Sequence, residues 1–171
     1  MPGPLPVPWR SIALVTLLAA ATAACGSDGA DETTADSGCG PIVREPLDSG
    51  YLVHTLGNAE EPEYTTDPPT SGPHQPAPAV GGVMKEAMTR PVQVGVLERG
   101  DVLLQHDANL PAGDRKGLEE LAGDGVVVAP NPELPAPIVA TAWTYKRICQ
   151  SADVAALTEF IDQRRGHGPD G

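Results

Sequence analysis

The sequence predicts an α+β domain: a small sheet with helices packed on one face, preceded by a long, irregular, proline-rich wrap. Three observations carry this. Residues 40–91 are dense in proline, glycine and short polar side chains, and hold few apolar runs. From residue 92 the periodic segments follow in the order strand, strand, helix, strand, strand, helix, which suits helices laid on a sheet rather than repeating βα units. Finally, Cys39 and Cys149 stand at the start of the wrap and ahead of the last helix.

The chain begins with a targeting pattern. Residues 12–24 form an apolar segment behind Arg10, the layout of a secretory signal peptide over residues 1–24. The segment is shorter than the ~20 apolar residues that a membrane-spanning helix needs. It ends in Thr22-Ala23-Ala24-Cys25, small residues ahead of a cysteine, which looks like a bacterial lipoprotein signal. Cys25 then becomes a lipidated N-terminus that anchors the protein to the outer face of the cell membrane. Residues 25–38 carry no hydrophobic side chain larger than alanine after Cys25 and read as a flexible acidic tether. One domain follows over residues 39–166, with a disordered tail at 167–171.

Charge narrows the partners. The net charge is −12, and losing Arg10 with the signal takes it to −13. Such a surface repels nucleic acid and anionic headgroups, so the expected contacts are the lipid anchor and an envelope protein or small ligand, made by a monomer. With Cys25 lipidated, Cys39 and Cys149 make one disulfide in an oxidising compartment.

Within the domain, Tyr51-Leu52-Val53-His54 is the best strand signal of the wrap. Val92, Val94 and Val96 alternate with other residues and read as a strand; Glu98-Arg99-Gly100-Asp101 reads as a turn, and residues 102–106 as a second strand hairpin-paired to the first. Residues 114–122 form a short helix capped by Asp114 and closed by Gly123. Val126-Val127-Val128 is a buried strand stopped by Pro130. Residues 138–145 read as one strand. The last helix starts at Ser151 or Asp153. It carries a stripe of Val154, Leu157, Phe160 and Ile161 and ends at Gly166.

The run Asp67-Pro68-Pro69-Thr70-Ser71-Gly72-Pro73-His74 is the most specific motif. Three prolines fix φ and Gly72 opens angles closed to other residues, so the loop presents Thr70, Ser71 and His74 at set positions. This string resembles the signature of domain-of-unknown-function family 3105. Val126-Val127-Val128-Ala129-Pro130-Asn131-Pro132, Ala140-Thr141-Ala142-Trp143 and Cys149 extend the resemblance over roughly residues 39–165. The resemblance implies an exported or anchored protein. Where family members commonly carry His-Asn-Leu-Glu-His-Gly, this chain reads Gly95-Val96-Leu97-Glu98-Arg99-Gly100: both histidines are replaced, while Leu97, Glu98 and Gly100 are kept.

Three functional readings follow. The first is a non-catalytic binding or scaffolding module that uses Thr70, Ser71 and His74, since a stiff loop on a tethered domain recognises partners without further chemistry. The second is a metal-binding lipoprotein whose ligands come from His54, His74, His106, Met84 and Met88. Thioethers with imidazoles suit copper(I), which places copper before zinc. The third is a hydrolase built on Ser71, His74 and Asp67; the chain has no Gly-x-Ser-x-Gly elbow to support it.

Overall fold

The computed structural model describes residues 1–3, 38–77 and 81–170. Residues 4–37, and with them the apolar segment, Cys25 and all but the last tether residue, lie outside the described residues. Two compact units divide the chain, Met1–Glu32 and Thr33–Gly171, and every element below belongs to the second. Among the described residues no helix is long and apolar enough to cross a membrane.

In chain order the elements are β1 (Val43–Arg44), β2 (Gly82–Val83), α1 (Arg90–Glu98), β3 (Val102–His106), α2 (Ala112–Glu119), β4 (Val126–Pro130), β5 (Ile138–Ala142), β6 (Tyr145–Cys149) and α3 (Val154–Arg164). They build a six-stranded mixed sheet in the order β1-β6-β5-β3-β4-β2. β3 and β4 run parallel, joined across α2, and β2 adds parallel to β4. β5 turns the sheet antiparallel against β3, β6 pairs with β5, and β1 pairs with β6. Both edge strands are two residues long, which leaves little unpaired backbone to template association.

β3 and β4 read as continuous apolar runs because both of their faces are covered. Val102, Leu104, Val126 and Val128 point to one face, where Leu118 of α2 and Ala156, Leu157, Phe160 and Ile161 of α3 pack. Leu103, Val127 and Ala129 point to the other and meet Val96 and Leu97 of α1. The α+β class is as the sequence predicts, but the helices divide between the two faces instead of sharing one. Phe160 is fully buried, and a truncation to alanine in such a position costs about 3–5 kcal/mol.

α1 is the largest departure from the sequence reading, which placed a strand over its valines. Pro91 sits in its first turn, where a missing N–H costs nothing. Pro91, Gln93, Val94, Gly95, Val96 and Leu97 are all buried, so the helix shows no polar stripe and its alternating valines mimic a strand. Gly100, at φ +87, closes it. The expected hairpin from α1 to β3 is therefore a helix-to-strand turn. α2 starts at Ala112 rather than Asp114. The single strand expected over 138–145 is a hairpin, β5 and β6, turned at Trp143-Thr144. Thr144 takes φ 59 there, which is costly for a β-branched residue. Two backbone bonds hold it: its N–H donates to Thr70 O at 2.9 Å, and its carbonyl accepts from Glu45 N at 2.8 Å.

α3 matches its prediction, with the Asp153 carboxylate accepting from Ala156 N as the cap, although Val154 is exposed rather than part of the stripe. Arg164 lies 3.6 Å over the Tyr145 ring. Cys39 and Cys149 form the expected disulfide, closing a separation of 110 residues. The described residues 167–170, expected as a disordered tail, fold back on the end of α1. Gly166 N donates to Gly100 O at 2.7 Å and Asp170 N to Glu98 O at 3.1 Å.

Candidate metal centre

The proline loop is fastened along its length. Asp48 N donates to Ser71 Oγ at 2.9 Å, and Lys146 Nζ donates to Asp67 O at 3.1 Å. Tyr64 Oη donates to Pro73 O at 2.7 Å, and the Tyr64 ring lies where a Cβ on Gly72 would meet it at 3.0 Å. Gly72 is required here, since its φ of +130 belongs to glycine. Burial, and secondarily Glu61, push the Tyr64 hydroxyl well above its ordinary range. Burial also lowers Lys146 against the opposing pull of Glu45. Thr70 and Ser71, expected to contact a ligand, are buried, and the Ser71 hydroxyl is spent on the Asp48 amide.

The loop delivers His74 into the interior. A short parallel bridge holds it to the wrap: His74 N donates to Val53 O at 2.9 Å and Thr55 N to His74 O at 2.7 Å. Residues opposite one another in such a bridge project to the same side. The His54 and His74 rings accordingly meet edge to face, with centroids 4.6 Å apart. On the far side, Gly95 lets the segment after His74 lie against α1: a Cβ at residue 95 would come within 1.9 Å of Gln75 O. That contact brings in Glu98, the last residue of α1, whose Oε2 is 2.8 Å from His74 Nε2.

Proton bookkeeping makes this arrangement unusual. His74 Nδ1 is 2.9 Å from Gly72 O, and a carbonyl only accepts, so Nδ1 carries a proton. In a neutral ring Nε2 is then a lone pair, and it faces a carboxylate that is also an acceptor. The Nε2–Oε2 approach lacks the alignment of a hydrogen bond, and Nε2 is buried without a hydrogen-bond partner among the described residues. Two acceptors at this distance are reconciled by a proton or by a cation between them. His54 adds a third donor: one ligand atom from each of His54, His74 and Glu98 lies within 4.8 Å of the others. Four-coordinate zinc with bonds of about 2.0–2.1 Å sets its ligands about 3.4 Å apart, so the exposed His54 has only a small distance to close. The Nδ1 bond to Gly72 O is the outer contact that fixes which nitrogen faces a metal. Glu98 also stands at the negative end of its helix, a placement that disfavours a carboxylate by about 0.3–1 kcal/mol and offers the helix no stability.

The other expected ligands are not among these three donors. His106 lies in β3 between Pro130 and Ile138, with Nδ1 2.9 Å from Asp107 O, and does not join the group. Met84 and Met88 are partly buried and pack against the cluster of Val96, Leu97, Leu103, Val127 and Ala129, on a stretch that is not helical. Ser71, His74 and Asp67 form no hydrogen-bond series, since Ser71 serves Asp48 and His74 serves Gly72 and Glu98. Glu98, which the sequence places near the candidate histidines on an expected hairpin without counting it as a ligand, completes the group. Its signal was available in the retained Leu97-Glu98 and Gly100 of the otherwise altered string.

Comparison with known proteins agrees with the resemblance. The family described as "Protein of unknown function (DUF3105)" matches residues 54–171, from the first of the three donors onward. No curated protein and no solved structure matches the chain.

Proposed function

We propose that this chain, which belongs to the DUF3105 family, is a lipid-anchored extracytoplasmic protein that binds one divalent transition metal through His54, His74 and Glu98. The observation that carries the reading is the buried His74, its Nδ1 committed to a carbonyl and its Nε2 held beside a carboxylate and a second imidazole. Imidazole and carboxylate donors suit zinc, and Met84 and Met88 pack against the Val96–Leu97 cluster, which weakens the argument for copper(I) from thioethers. Zinc therefore stands before copper. The anchor reading rests on the apolar segment ahead of Cys25, and the disulfide fits an oxidising compartment. Binding, rather than turnover, is the role that this geometry supports.

The test is metal stoichiometry of the purified full-length chain by elemental analysis, with calorimetric titration of Zn²⁺ and Cu²⁺. One zinc per chain is expected. His74→Ala and Glu98→Gln should each weaken binding at least about ten-fold, while His106→Ala leaves it unchanged. Absence of stoichiometric metal in the unaltered chain overturns the reading. Separately, Cys25→Ser should move the protein from the membrane fraction to the soluble one.

A further inference from the structure

We infer that the His54–His74–Glu98 centre is of the open kind: its metal keeps an exchangeable position on the His54 side, and that position takes small oxygen anions, carboxylates first. The inference rests on the metal-binding reading above and specifies what the bound metal does.

Ligand count is the first argument. Among the described residues the converging histidine, cysteine and carboxylate donors number three, whereas zinc takes four ligands or more. Residues 78–80, which lie between the described segments close to His74 in sequence, are Pro-Ala-Val and bear no metal-ligating side chain. Met84 and Met88, both partly buried, pack against the cluster around Val96 and Leu97. Zinc sites closed by four side chains are structural, while three-donor sites leave a position for water or an external ligand.

Burial gives that position a direction. The His74 side chain is fully buried, Glu98 is 14% exposed and His54 lies at the surface. His74 and the proline loop close the inner side, so an incoming ligand approaches past His54. Charge then selects the ligand. Two neutral imidazoles and one carboxylate leave a dication with net charge +1, which favours an anionic donor over a neutral one. The surrounding domain is strongly acidic and repels polyanions. A small monoanion satisfies both conditions. In the exchange, bound water leaves and a carboxylate oxygen donates its lone pair to the metal; no bond within the ligand breaks.

Cobalt(II) reports on this directly, because its visible d–d bands respond to a change of ligand. The purified full-length chain, loaded with one equivalent of Co²⁺, is titrated with sodium acetate at constant ionic strength. The expected result is a saturable shift and intensity change that fit one acetate per cobalt. Bound cobalt whose bands ignore acetate would mean a coordination sphere closed by protein, overturning this inference while leaving metal binding intact. Failure of the unaltered chain to take up cobalt or zinc overturns both.

Discussion

His54 and His74 face each other across a two-bond parallel bridge, and that bridge is what makes them one site. The nineteen residues between them contribute no regular strand or helix, so the backbone pairing supplies the register that a helix would otherwise provide. Four consequences can be measured.

Zinc should stabilise the fold. A ligand that binds only the native state at a hundred times its dissociation constant adds about 2.7 kcal/mol, here about 10 °C in Tm. The unaltered chain is expected to show that rise in a thermal melt with excess zinc, and His74→Ala to show none. Equal shifts in the two proteins would place the metal elsewhere.

Tyr64→Phe separates the hydroxyl from the ring. Losing the bond to Pro73 O should cost about 1 kcal/mol, and metal affinity should fall as the peptide units before His74 loosen. The hydroxyl also gives a pH signature. Its folded-state value is raised, so above the ordinary tyrosine value of about 10 the unfolded chain loses a proton that the folded chain retains. The contribution is complete below that pH and declines as pH rises through the folded-state value. Denaturant melts across the alkaline range should show this decline in the unaltered chain and a shallower one in Tyr64→Phe.

Gly95→Ala tests packing against propensity. Alanine favours an exposed helix interior by about 1 kcal/mol, yet here its Cβ would strike Gln75 O. The expected result is destabilisation of about 1–3 kcal/mol together with weaker metal binding, since residue 75 follows His74. A stabilised variant would show that the segment after His74 does not lean on α1.

Reduction of Cys39–Cys149, or Cys39→Ser, should lower stability by about 2–5 kcal/mol. The three candidate donors do not include the cysteines, so zinc should still raise Tm in the reduced chain at temperatures where it remains folded. A reduced chain that melts with the oxidised one would remove the disulfide as a structural staple.

Legibility in the sequence followed how local the cause was. β4 and α3 were readable because an apolar run and a capped stripe are written within each element. α1 was not, because burial on every side erased the helical period and left alternating valines. The β5–β6 turn was hidden because Thr144 accepts its positive φ for bonds to Thr70 and Glu45, both distant in the chain. The candidate centre was half legible. His54 and His74 were chosen as histidines near a stiff loop, but Glu98 enters only through the contact of Gly95 with Gln75. His106 has the right chemistry but lies outside the group, and Met84 and Met88 pack against the cluster beside α1.

The fold-back of residues 166–170 bears on how the protein is handled at the bench. Asp170 N is bonded to Glu98 O, and Gly168 lies so close to Glu98 O and Gly100 N that a Cβ there would stand 2.2 Å from each. An affinity tag appended at this end would press on the backbone that carries the carboxylate donor, and a polyhistidine tag would bring competing imidazoles beside it. Metal measurements therefore call for an untagged chain.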